Sequence, residues 1–133
     1  MENTATQQIV KSSETDLIDR YIAAWNETDE ANRKQLVNET WTEDSSYVDP
    51  LMQAEGREGI QVMIGRVQQQ FPGVRFRRIT EVDAHSNCLR FGWELGPDSG
   101  PGVAAGVDFG TISGGLLQTI VGFLDYSPYP KKN

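Results

Sequence analysis

The sequence predicts an α+β fold, with three amphipathic helices packed on one face of a curved, mostly antiparallel sheet. Three observations carry this. Apolar residues recur at helical spacing in three stretches between residues 14 and 71. After Gly73 the apolar period changes to two. Between the second and third helical stretches lies one short alternating run that stops at Asp49-Pro50. Helices first and hairpin strands after is the order of an α+β domain.

Helix 1 is read at 14–27. Ser13 and Asp16 resemble a capping box, and Leu17, Ile18, Tyr21, Ile22 and Trp25 form its apolar stripe. Glu27-Thr28-Asp29 turns the chain into helix 2, at 30–40. That helix presents Leu36, Val37 and Trp41 inward and leaves Asn32, Arg33 and Lys34 to water. Ser45 to Asp49 is a short strand, ended by a proline that cannot continue a ladder. The loop LMQAEG leads to helix 3, with Ile60, Met63, Ile64, Val67 and Phe71 on one stripe, bounded by Gly56 and Pro72. Four strands follow. The first holds Val74 and Phe76; after a turn at Ser86-Asn87, the second aligns Leu89, Phe91, Trp93 and Leu95. The Gly/Pro-rich loop 96–102 leads to the last two, joined at Ser113-Gly114-Gly115. A single domain at 13–127 is expected, with loose tails at 1–12 and 128–133.

The net charge of −7 argues against a nucleic-acid partner, whose phosphates are bound by Lys and Arg. Arg75, Arg77 and Arg78 read as a solvated or salt-bridged strand face. One cysteine, Cys88, gives no disulfide framework, and one histidine, His85, gives no histidine-rich metal site. No apolar run approaches the ~18 residues of a membrane span, and the polar start MENTATQQ is unlike a leader. A cytoplasmic protein without cofactor or metal is the expectation.

Three residues stand out chemically. Asp49 shares a strand face with Tyr47. It reads either as an acid opening a turn before a proline or as a carboxylate beside aromatic surface, placed to take a proton. Asp108 interrupts an apolar strand and shares its face with Ala104, Gly106 and Gly110. There it must pair with a cation such as Arg90, face water, or stay protonated and donate a hydrogen bond. Tyr21 lies on an apolar stripe, where a hydroxyl needs a partner. Trp25, Trp41, Trp93, Tyr47 and Met63 are candidate walls of a pocket for a flat apolar ligand, or simply core.

The stretches RYIAAWNETD, WTEDSSYVDPLMQAEGREGI and GVDFGTISGGLLQTIVGF resemble the NTF2-like superfamily, which includes the SnoaL-like cyclases and ketosteroid isomerase. The resemblance runs from about residue 14 to 125 and implies a cone in which helices and curved sheet enclose a pocket. Carried over by position, it implies that Asp49 is a general base. Tyr21 and a protonated Asp108 would then hydrogen-bond an enolate oxygen, the division of labour in ketosteroid isomerase. The activity so implied is cofactor-independent proton transfer on a small hydrophobic ketone, as isomerase or cyclase, in a homodimer. The alternative is a ligand-binding or assembly module without catalysis. Departures are the SGGLL turn and the long 96–102 loop.

Overall fold

The computed structural model of the chain describes residues 12–128. Of the two expected tails, only Ser12 and Pro128 fall within it; 1–11 and 129–133 lie outside the described residues. The helices are α1 (Ser13–Asn26), α2 (Glu30–Thr40) and α3 (Gly56–Gln70). The first backbone N–H groups of a helix have no partner within it. Ser12, rather than Ser13, meets that need in α1, its side chain accepting from the Thr15 N–H at 3.0 Å. Asp29 does the same in α2, accepting from Ala31 at 3.0 Å.

One expected exposed residue is buried. Arg33 is only 7% exposed. Its Nη1 donates to the Glu27 carbonyl at 2.9 Å and to Gln68 Oε1 at 3.1 Å. Gln68 Nε2 in turn donates to the carbonyls of Trp25 and Glu27. The last carbonyls of a helix lack partners and carry partial negative charge, so a buried cation there joins all three helices.

The strands are β1 (Trp41–Val48), β2 (Gln53–Glu55), β3 (Arg75–Arg78), β4 (Asp83–His85), β5 (Cys88–Gly96), β6 (Ala104–Ser113) and β7 (Leu116–Tyr126). They form one sheet in the order β2-β1-β7-β6-β5-β3, with β4 also on β5. Two short strands, β2 and β4, go beyond the expected set, and β1 starts four residues earlier than expected. The sheet is mixed: β1 and β7 run parallel, and every other pair is antiparallel. Ser86 and Asn87, and Gly114 and Gly115, take positive φ at the two tight hairpins, as two-residue turns require. Register shifts in the β1–β7 and β6–β7 pairs mark irregularities that bend strands.

Helices and sheet bury one core, including Ile18, Val37, Ile60, Ile64, Leu89, Phe91 and Ile120. Asn26 docks the edge of β3 by exchanging two hydrogen bonds with the Phe76 backbone, both 2.8 Å. Two of the three arginines of β3 are salt-bridged: Arg77 to Glu94 at 2.6 Å and Arg78 to Asp19 at 3.6 Å.

Candidate active site

Three adjacent strands build the polar end of a cavity. Val48 of β1 pairs with Val121 of β7, so Asp49 follows alongside Gly122. Gly122 pairs with Asp108 of β6. The two acids therefore flank one glycine. A Cβ added at Gly122 would lie 3.0 Å from Asp108 Oδ1, 3.1 Å from the Asp49 Cβ and 3.5 Å from the Tyr47 hydroxyl.

Asp108 is 3% exposed. Tyr21 reaches it from α1, its hydroxyl donating to Oδ2 at 2.6 Å. Trp93 donates from its indole N–H to Oδ1 at 3.0 Å. Trp93 pairs with Gly106, where a Cβ would stand 2.9 Å from the indole, so the small neighbour makes room for the ring. Arg90 does not pair with Asp108; it is exposed and bonds Asp83 at 3.1 Å. Burial pushes the Asp108 carboxyl up to about 7. The hydrogen bonds from Tyr21 and Trp93 oppose that rise, and the nearby Asp49 charge adds to it. Burial, followed by the Asp108 charge, raises the Tyr21 phenol well above its usual range. Tyr47 is raised likewise, by burial and then by Tyr21 and the two acids.

Asp49 lies just past the end of β1 and does form a turn. Its Oδ1 accepts from the N–H groups of Leu51 and Met52, at 2.7 and 2.9 Å, and its own N–H bonds the Met52 carbonyl at 2.9 Å. The same carboxylate also lines the cavity, with Oδ2 accepting from the Tyr47 hydroxyl at 2.6 Å. Turn and cavity wall are thus one residue.

The cavity has a volume of about 60 Å³. Its lining includes Tyr21, Trp25, Tyr47, Asp49, Trp93 and Asp108 among the residues singled out from sequence. Two expected wall residues are not in it. Trp41 is fully buried with its ring centroid 5.8 Å from that of Tyr21, so it packs against Tyr21 without lining the cavity. Met63 lines a separate groove, between α3 and residues 51–54. Sequence reading missed Phe76, Phe71, Leu124 and Gly122. Gly122 carried a signal, since an isolated glycine inside a strand often marks a close approach. Phe76 was visible as an apolar residue between arginines, but its face was not.

Among the described residues, no three His, Cys, Asp or Glu side chains gather as a metal site. No helix of the described residues is long and apolar enough to cross a membrane.

Three helices on a bent mixed sheet around a pocket define the NTF2-like class of α+β folds. Within that class the chain belongs to the SnoaL-like domain family, whose model it matches over residues 18–120. It is 42% identical to a candidate isomerase of the SnoaL-like family from Agrobacterium tumefaciens strain C58. That match covers 87% of this chain and all of the other, with a TM-score of 0.82. A candidate ketosteroid isomerase from Kribbella flavida shares the fold at 18% identity and TM-score 0.63, covering 91% and 84% of the two chains. A candidate polyketide cyclase from Sinorhizobium meliloti does so at 15% identity and TM-score 0.65, covering 84% and 99%. No curated protein matches the chain at a significant level.

Proposed function

We propose that the protein is a cofactor-independent proton-transfer enzyme acting on a small hydrophobic ketone or enone. The observation that carries this reading is the pair of acids on either side of Gly122, at the polar end of an aromatic cavity. Asp49 accepts the proton from the carbon next to the carbonyl. The C–H electron pair forms the enolate double bond, and the carbonyl electrons move to oxygen. Asp108, protonated, donates to that oxygen. The Tyr21 hydroxyl donates its hydrogen bond to Asp108, so it holds and polarises Asp108 as well as lining the cavity. Asp49 then returns the proton to a second carbon, as in an isomerase. In a cyclase of the SnoaL kind, the enolate carbon would instead attack a carbonyl within the same molecule. Tyr47 holds the base in place. A small cavity favours compact ketones over polycyclic ones.

We propose further that two chains associate through the outer sheet face, where Val48, Phe109, Val121 and Phe123 are exposed.

The enzymatic reading is tested by exchange in heavy water. Deuterium uptake next to the carbonyl of small cyclic ketones and enones is followed by mass spectrometry, for wild type and Asp49→Asn. Uptake that falls roughly 10²–10⁴-fold in the variant supports Asp49 as the base. Uptake that is absent, or equal in both proteins, leaves the non-catalytic binding module as the better reading.

A further inference from the structure

Among the described residues, the cavity wall contains two acids and no Lys, Arg or His. Arg33 of α2 is engaged with Glu27 and Gln68, and Arg78 of β3 with Asp19 and the Thr80 carbonyl. Beside the acids runs a series of rings that line the cavity, its two ends, Tyr47 and Trp93, hydrogen-bonded to Asp49 and Asp108. Trp25 and Tyr47 have centroids 5.7 Å apart at 55°, Trp25 and Phe76 5.0 Å at 58°, and Phe76 and Trp93 5.5 Å at 64°. Rings at these angles meet tilted or edge to face and do not stack face to face. The face of an aromatic ring is its negative side, and it attracts a cation most strongly where water is excluded.

We propose that this cavity takes a small organic cation, held between the carboxyl groups of Asp108 and Asp49 and the rings of Trp25, Phe76 and Trp93. This goes beyond the proton-transfer reading, because it needs the charge and the rings but no chemistry. The small volume suits a compact head group rather than a long chain.

The two ligand classes should respond to pH in opposite directions. The groups that face Asp108 are Tyr21 from α1, Tyr47 from β1 and Asp49 from the following turn. Trp93 from β5 and Gly122 from β7 do not titrate. Both phenols stay neutral near pH 7, since burial raises them well above their usual range. Asp108 changes charge there, at about 7. A cation prefers its ionised form, so cation affinity rises as pH increases through that value. A ketone oxygen needs the protonated form, so its affinity falls.

The test compares choline with its uncharged carbon isostere, dimethylbutanol, by tryptophan fluorescence and calorimetry at about pH 6 and about pH 8. Choline should bind about tenfold more tightly than the isostere at the higher pH, the worth of one desolvated cation–π contact. The advantage should shrink at the lower pH, and Asp108→Asn should remove its pH dependence. If that variant does not fold, Phe76→Leu serves: it should weaken choline more than the isostere. Choline that binds no better than the isostere at either pH overturns the proposal, as does an affinity indifferent to pH in the wild-type protein. Neutral ketones carry the exchange assay, so either reading can fail while the other stands.

Discussion

Gly122 stands across from Asp108 on the neighbouring strand, and a Cβ there would come within 3.0 Å of Asp108 Oδ1. The same atom would lie 3.1 Å from the Asp49 Cβ. The two acids approach one another because this position has no side chain. We expect Gly122→Ala to force them apart, at a cost of roughly 1–3 kcal/mol in stability. Deuterium exchange and ligand affinity should both fall in protein that still melts cooperatively. A folded variant with wild-type affinity would take Gly122 out of the site.

Tyr21→Phe should raise the Asp108 carboxyl above its present value of about 7, because the Tyr21 hydrogen bond is the largest influence holding it down. The phenyl ring keeps its neighbours Phe91 and Trp41, with centroids 5.7 and 5.8 Å away, so the fold should survive. Losing the donor should cost about 1–3 kcal/mol where Asp108 is ionised, since one buried oxygen is left without that partner. The infrared band of the protonated carboxyl, followed against pH, reads the shift directly. A midpoint that stays put or moves down would contradict the geometry.

Phe123 is 58% exposed on β7, beside Val107 across the β6–β7 ladder, while Val121 pairs with Phe109 and Val48. These side chains form an apolar strip across three strands on the outer face, away from the cavity. Phe123→Glu should place a charge at its centre and lower the sedimentation coefficient to that of a monomer. The change should leave the melting of the core within about 0.5 kcal/mol, as for most surface substitutions. A wild-type protein that sediments as a monomer at high concentration would refute the dimer.

The helices were legible because one apolar stripe per helix survives any packing detail. The last hairpin was legible because Gly114-Gly115 supplies the backbone its turn needs. Arg33 was misread because helical periodicity says which face is polar, and only the tertiary fold shows that Glu27 and Gln68 wait there. Asp108 was legible as an acid in an apolar strand, but its partners lie 15 and 87 residues away. Trp41 illustrates the same limit: a large ring near a helix end is either core or wall, and the strand that begins at Trp41 turned it into core. The parallel β1–β7 pair joins segments some 70 positions apart, and no local pattern records it.

Asp108 also gives stability a pH dependence with a definite sign. Its carboxyl loses its proton at about 7 in the folded chain, against an ordinary value of 3.8 when unfolded. Between those values the folded state binds the extra proton, so this group makes stability fall as pH rises. Below that window both states are protonated and above it neither is, so its contribution is flat on either side. The total is roughly a few kcal/mol, present at acid pH and gone above pH 7. Asp108→Asn keeps the size of the side chain and removes the charge. Chemical unfolding at a series of pH values should therefore show wild type losing stability relative to the variant from about pH 4 to pH 7, then a constant difference. Parallel curves across that range would mean that Asp108 ionises in the folded protein as it does in water, and its part as a hydrogen-bond donor would fall with it.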